Sequence, residues 1–362
     1  MASPILLTGA TGFLGMQVLD RILEESDRPV LACVRASDVV SAQRRIAGTL
    51  ETLYGSADRH PGRVRAIPAD LTLPAFGLDA RGWARLSREC GAIVHCAASV
   101  SFGLELAEAR AINVGGTRQV VALARRARAE GALERFVHVS TAYVAGDGGG
   151  VFAEADRDTG QGFRNTYERT KFEAELAVAG ALHEVNGVIV RPSIVVGERG
   201  SGWTASFNVI YPPLRAFAAG LLDVVPGRPD GVVDIVPVDY VADAIAELLL
   251  RRREVAGVLH LVAGRHATTI GELARLAAAR LGRAAPAFGP QPEGFGSLVP
   301  YFDVRARFDD ARARHVLGPA GVAPSPVEEY FDVLLDYADE AGWGRRPMSR
   351  RAARERLVRA VA

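Results

Sequence analysis

The segment Thr8-Gly9-Ala10-Thr11-Gly12-Phe13-Leu14-Gly15 follows a short apolar run, Ile5 to Thr8. It leads into a stretch with Phe13, Leu14, Val18, Leu19, Ile22 and Leu23 at helical spacing. A strand that turns through TGxxGxxG into an amphipathic helix leaves few choices of fold. The first glycine permits the tight turn, the second lets backbone approach a pyrophosphate, and the third lets helix and strand pack closely. The helix N-terminus then offers unpaired N–H groups to an anion. Thr8, Gly9, Thr11, Gly12, Phe13, Leu14 and Gly15 are therefore candidate contacts to a nicotinamide dinucleotide.

The chain continues as this opening requires. Val30 to Val34, Val64 to Ile67, Ala92 to Cys96, Phe136 to Ser140 and Val188 to Val190 read as further short strands. Helical patterns fall at Ala107 to Arg128 and Tyr167 to His183. Alternation of this kind predicts an α/β, Rossmann-type doubly wound parallel sheet. After Gly197 the alternation weakens, returns as a helix over Val238 to Leu250, and gives way to a smaller C-terminal substrate lobe with its own strand, Val258 to Val262. The expected division is 1–197 plus 234–252 for nucleotide binding, with 198–233 plus 253–362 forming the substrate lobe and a basic tail.

Strand two ends in Val34-Arg35, where an NAD-preferring fold usually places a carboxylate for the ribose. An arginine there suits a 2′-phosphate, and Arg44 and Arg45 on the next helix add charge, so NADPH is the expected cofactor. The lesser alternative for Arg35 is a solvated strand end. Asp70, ending strand three beside Leu71, can accept from the adenine amine or cap a turn. His95-Cys96-Ala97-Ala98 ends strand four in small residues, with Ala97 suited to backbone passing beneath the cofactor; His95 is assigned no chemistry.

Tyr167-Glu168-Arg169-Thr170-Lys171 puts a phenol and an ammonium at i and i+4 on one helix face. A neighbouring cation favours phenolate, which predicts a lowered phenol pKa and a group able to pass a proton to an oxygen that gains charge. Taken alone, YxxxK is often just an exposed helix face. Upstream, however, the strand around Val139 ends in Ser140-Thr141, at the sheet edge where doubly wound folds hold ligands. Thr141 there can orient a substrate carbonyl.

With these motifs in place, the chain resembles the extended short-chain dehydrogenase/reductase superfamily over nearly its whole length. TGATGFLG, Thr141/Tyr167/Lys171, Asn113-Val114-Gly115-Gly116-Thr117 and Arg191-Pro192-Ser193-Ile194-Val195-Val196-Gly197 carry the likeness. It implies a Thr141-Tyr167-Lys171 triad, a helix bearing the relay asparagine Asn113, and cofactor contacts from Lys171, Pro192 and Ile194. Within the superfamily the chain is most similar to fatty acyl-CoA reductases and terminal thioester reductase domains, through Val139-Ser140-Thr141-Ala142-Tyr143-Val144, Gly202-Trp203 and Asp234-Ile235-Val236-Pro237-Val238-Asp239-Tyr240. That implies NADPH-dependent reduction of an acyl thioester, on CoA or a separate carrier protein, to an aldehyde and further to an alcohol if the aldehyde stays bound.

Tyr143, Trp203, Phe207, Tyr211 and Phe217 are candidates for an apolar substrate pocket, although bulky residues are also ordinary core. Ketone or hydroxysteroid reductases and nucleotide-sugar epimerases or dehydratases share the triad; Ala142-Tyr143 after Thr141 disfavour a dehydratase, which usually places an Asp-Glu pair there. A non-catalytic dinucleotide sensor is disfavoured by the presence of both Tyr167 and Lys171.

A formal net charge of +1 argues against nucleic acid as the default partner. The arginine-rich stretch from Arg345 to Arg359 is compatible with contact to an anionic surface such as a membrane, but such runs are ordinarily solvated terminal helices. Cys33, Cys90 and Cys96 lack metal spacing or a disulfide framework, so no metal is expected. The opening residues lack a signal-peptide pattern, and Phe207 to Val225 is interrupted by Pro212, Pro213, Arg215 and Asp223, which leads to a cytoplasmic expectation.

Overall fold

The computed structural model describes residues 3–290 and 296–361. Seven strands form one sheet: β1 (Ile5–Thr8), β2 (Val30–Val34), β3 (Val64–Pro68), β4 (Ala92–His95), β5 (Arg135–Val139), β6 (Gly187–Pro192) and β7 (Gly257–Leu261). Their order is β7-β6-β5-β4-β1-β2-β3, and every pairing is parallel. Strand order reverses between β1 and β4, so the carboxyl ends of these strands frame the expected ligand crevice.

Both faces of the sheet are covered, which is why its strands are continuous apolar runs. Ile5, Leu7, Val30, Ala32, Val94, Val137 and Val190 point to one face, where α1 (Phe13–Glu25), α2 (Val39–Tyr54) and the Val238–Leu250 helix pack. Leu6, Leu31, Ile93, Phe136 and Ile189 point to the other, beneath α3 (Ala80–Glu89), the Gly116–Ala129 helix and the Thr166–Ala179 helix. Local chemistry sets the helix ends. Asp38 caps α2 by accepting from the Ser41 N–H at 2.7 Å, and Gly55 closes it in the left-handed region. Asn165 caps the Thr166–Ala179 helix through the Glu168 N–H at 2.9 Å.

One strand departs from expectation. Val258 to Val262 was expected in the smaller lobe, but β7 is the edge strand of the main sheet, in register with β6 from Gly257 opposite Val188 to Leu261 opposite Pro192. Its buried Val258, Leu259 and Leu261 extend both cores, which a lobe strand would leave uncovered. A third apolar cluster joins the Tyr211–Ala218, Ile270–Leu281 and Phe331–Glu340 helices beside the sheet.

The arginine-rich stretch is not simply a solvated run. Arg350 is 3% exposed, grips the Asp20 carboxylate at 2.7 Å, and lies 2.5 Å from Glu198. Arg354 pairs with Glu198 at 2.9 Å, and the Arg356 guanidinium lies over the Tyr337 ring. Arg351 instead pairs along its own exposed helix face with Glu355. The charge run thus docks the last helix onto α1 and the 198–201 turn. Among the described residues no helix is long and apolar enough to cross a membrane.

Candidate active site

The glycine turn has the shape its spacing predicts. Gly9 has φ +78°, and a Cβ there would come within 2.8 Å of the Cys96–Ala97 backbone. A Cβ on Gly15 would stand 2.0 Å from the Gly9 carbonyl oxygen, so helix and strand can close only on glycine. Gly12 differs: the nearest group to its Cβ direction is the Gly9 oxygen at 3.3 Å, which leaves that side of the turn accessible to a ligand. No side chain caps α1, and no acidic residue occupies its first turn. This cradle fits a dinucleotide pyrophosphate.

The ends of β2 and β3 carry the side chains expected on the adenosine side. Arg35 is exposed, and Arg45 reaches back to donate to its carbonyl at 2.5 Å and to Thr11 Oγ1 at 3.3 Å. Arg45 thereby ties the strand end to the glycine turn, with Arg44 exposed beside it on α2. Asp70 forms a turn, accepting from Thr72 N–H at 2.9 Å and Thr72 hydroxyl at 2.7 Å. Those bonds hold its carboxyl below the usual carboxylate range, helped by the charge of Arg35. Leu71 packs beside Gly116, where a Cβ would meet it at 3.3 Å.

Beneath the crevice runs a buried row of hydrogen bonds. Ala97 N–H donates to Thr8 Oγ1 at 3.2 Å, Thr8 contacts His95 Nδ1 at 2.7 Å, and His95 Nε2 contacts Thr117 Oγ1 at 3.0 Å. The Thr117 hydroxyl donates to the Asn113 carbonyl at 2.6 Å. Burial, reinforced by Lys171, pushes the His95 imidazole down to about 3, so the ring is neutral. Asn113 itself lies in a π-helical turn, Ala111–Gly115, a distortion often found at functional sites. Its side chain accepts from Ser99 N–H at 2.8 Å and donates to Ser99 O at 3.1 Å and to Thr170 Oγ1 at 3.0 Å, which fixes the β4 loop against the Thr166–Ala179 helix.

Thr141, Tyr167 and Lys171 converge at the carboxyl end of β5. Thr141 donates to the Pro192 carbonyl at 3.4 Å and accepts from Tyr143 N–H at 3.3 Å, so its hydroxyl is held between the ends of β5 and β6. The Thr141 side chain lies close enough to the Tyr167 phenol to pull its pKa down. Lys171 Nζ donates to the Val139 carbonyl at 2.7 Å. Burial lowers the lysine to about 8, with Glu175 and Cys96 pulling it back up.

The phenol runs against expectation. Burial pushes Tyr167 up to about 12, Thr141 offsets part of that, and Glu168 adds to it. The spacing argument counted the cation and neglected desolvation and the adjacent carboxylate. A raised phenol stays protonated near neutrality, which suits a proton donor.

Two supporting groups escaped the sequence reading. Glu175, one turn beyond Lys171, accepts from Ser140 Oγ at 2.5 Å and pairs with Arg191 at 2.6 Å, all three side chains buried. Glu168, 0% exposed, accepts from Arg164 and from the Tyr301 hydroxyl at 2.7 Å. Phe102 stacks on Tyr301 at 5.1 Å and meets Tyr167 at 5.8 Å. Charged side chains with helical or strand spacing toward a buried face were the available signal, since such groups are almost never buried unpaired.

The aromatic candidates separate. Of Trp203, Phe207, Tyr211 and Phe217, not all reach the apolar cavity beside Ile194. Trp203 is instead core, 1% exposed, with Nε1 donating to Met348 O at 3.1 Å and its ring against Phe13.

 Only Phe217 forms part of that cavity's lining. Tyr211 stands behind it in the same apolar cluster, its hydroxyl accepting from Gly197 N–H at 3.0 Å. Phe207 stacks on Tyr337 and meets Tyr211 edge-on, so it too belongs to packing. Tyr143 is buried edge-on between Tyr301 and Phe308. These rings were assigned by size and chain neighbourhood, which do not reveal which of several cores a ring enters.

The profile of a family described as male sterility protein matches residues 7–245. Isonitrile lipopeptide synthase of Streptomyces coeruleorubidus is 35% identical over 276 residues, covering 73% of this chain and 18% of its own length. Fatty acyl-CoA reductase 1 of Mus musculus is 32% identical over 275 residues, covering 66% of this chain and 53% of its own length. The chain therefore spans between about a fifth and about half the length of these relatives. Among solved structures, the terminal R domain from the myxalamid PKS-NRPS biosynthetic pathway superposes with a TM-score of 0.81 at 25% identity, covering 96% of this chain and 92% of that one. UDP-glucuronic acid 4-epimerase from Bacillus cereus, in complex with NAD, shares the fold with a TM-score of 0.69 at 18% identity, covering 93% of this chain and 97% of that one.

Proposed function

The chain belongs to the male sterility protein family, and from that premise we propose that it is an NADPH-dependent reductase of acyl thioesters that releases an aldehyde. The observation that carries the reading is the convergence of Thr141 and Tyr167 beside a buried Lys171, at the strand ends that face the glycine cradle. Its relatives that act on acyl-CoA or on carrier-bound chains point to the thioester.

When bound, the cofactor supplies the hydride that adds to the acyl carbonyl carbon. Thr141 and Tyr167 present hydroxyls to the carbonyl oxygen and hold the charge that gathers there. As the carbonyl re-forms, the carbon–sulfur bond breaks, and the departing sulfur takes a proton that Tyr167 donates. Lys171, in its ammonium form, restores that proton. The products are an aldehyde and a free thiol; a second hydride delivered to a retained aldehyde would give the alcohol.

The protonated lysine sets the pH response. Its pKa is about 8, so the ammonium predominates below that value and is lost above it. Turnover measured as kcat/KM is expected to fall as pH rises through about 8. A Lys171→Met variant lacks that limb; an identical alkaline limb in the variant would remove Lys171 from the proton path.

Arg35 and Arg45 are the proposed partners of the ribose 2′-phosphate, with Thr8 to Gly15, Asp70, Leu71, Ala97, Asn113, Pro192 and Ile194 around the rest of the dinucleotide. Replacing Arg45 with Ala removes a charge-assisted hydrogen bond worth ~1.5–3 kcal/mol, a loss of roughly tenfold or more in NADPH affinity with NADH little changed. Equal losses for both cofactors would assign Arg45 to the turn and not to the phosphate. The function itself is tested by mixing the chain with either cofactor and acyl-CoAs, aldehydes, ketones or UDP-sugars and identifying products; oxidation of NADPH by ketones alone would overturn the thioester reading.

A further inference from the structure

A cavity of about 110 Å³ lies beside the catalytic elements, lined by Ile194, Leu214, Phe217, Val233, Leu273 and Ala277 among others, with Tyr301 at one wall. It adjoins the chemistry on two sides. Ile194 lies two residues past Pro192, whose carbonyl accepts the Thr141 hydroxyl. Tyr301 is separated from Tyr167 by the Phe102 ring, and its hydroxyl is held by Glu168 on the catalytic helix.

Protein interiors hold few voids larger than a water molecule, because an empty apolar space forfeits contacts. Apolar cavities of this order stay dry and accept hydrocarbon; one of ~150 Å³ binds benzene. Apart from Tyr301, the lining carries no side chain that can hydrogen-bond or pair with a charge. A carboxylate or ammonium buried there would lack a partner and meet a large desolvation cost.

We propose that this cavity receives the hydrocarbon tail of the acyl group, so that the chain selects unsubstituted acyl chains against those ending in a charge. The proposal rests on the thioester reading, and names its substrate class. Ala277 and Leu273, on the Ile270–Leu281 helix, line the cavity and are the positions where its size can be changed.

The test uses the full chain with NADP⁺, so that binding is read without turnover, and a series of S-acyl pantetheines from acetyl to dodecanoyl measured by calorimetry. Each buried methylene contributes ~0.8 kcal/mol, so Kd is expected to fall about fourfold per added carbon and then level off once the cavity is filled. Glutaryl pantetheine is expected to bind far more weakly than pentanoyl pantetheine. Ala277→Phe should move the plateau to shorter chains and Leu273→Ala to longer ones, which guards against one variant failing to fold. A Kd independent of chain length, equal binding of the glutaryl and pentanoyl compounds, or a plateau unmoved by either folded variant would overturn the proposal. A parallel assay of NADPH oxidation separates the two claims. Chain-dependent binding without oxidation sinks the reductase reading and leaves the cavity assignment standing, whereas oxidation with flat binding does the reverse.

Discussion

Replacing Tyr167 with Phe is expected to lower acyl thioester turnover by about 10²- to 10⁴-fold while leaving cofactor affinity unchanged. The phenol is the group placed to give the proton, and positioned general acids contribute about that factor, equivalent to roughly 3–5 kcal/mol in the barrier. The ring itself packs against Phe102, and phenylalanine keeps that contact. Only the hydroxyl and its interaction with Thr141 are lost. Steady-state turnover with cofactor titration by fluorescence checks both halves; undiminished turnover would remove Tyr167 as the acid.

Replacing Arg350 with Ala is expected to destabilise the fold by ~3–5 kcal/mol, the usual cost when one partner of a buried ion pair is removed.

 Asp20 is 4% exposed and Glu198 3% exposed. Each carboxylate would stay buried without its main cation. Burial alone would raise Asp20, yet the Arg350 guanidinium holds it below the usual carboxylate range. A depressed carboxylate adds stability above its unfolded pKa and loses it as pH falls, so the variant's stability should also vary less with pH on the acid side. Denaturant unfolding of the variant, alongside a Asp20→Asn, Arg350→Met double substitution, checks this. A loss below 1 kcal/mol would show that the last helix is not held by this pair.

Much of the fold was legible because its cues are local. The glycine turn and the apolar runs of β1 to β6 declare themselves within a few residues, and their observed ends lie within two positions of expectation, the small differences falling where hydrogen bonding and not hydrophobicity decides. What stayed hidden depends on distant partners. Arg350 finds Asp20 across 330 residues, and Arg191 finds Glu175 across 16. No spacing rule marks such pairs. Trp203 was misread for a related reason, because its fate was set by Met348 and Phe13, on elements far apart in the chain. The resemblance to short-chain dehydrogenase/reductases named Thr141, Tyr167 and Lys171, which the fold brings together, but the direction of the Tyr167 shift needed the surrounding burial.

The row from Ala97 through Thr8, His95 and Thr117 to Asn113 has a consequence for where protons can travel. Its two ends are backbone groups of fixed polarity, a donating N–H and an accepting carbonyl. Every hydrogen between them is therefore assigned: Thr117 gives to Asn113, His95 Nε2 gives to Thr117, and Thr8 gives to Nδ1. A relay conducts only if all its members can reverse together, and neither end of this one can. It insulates the floor of the crevice, so that no proton passes from the site into the core along this row.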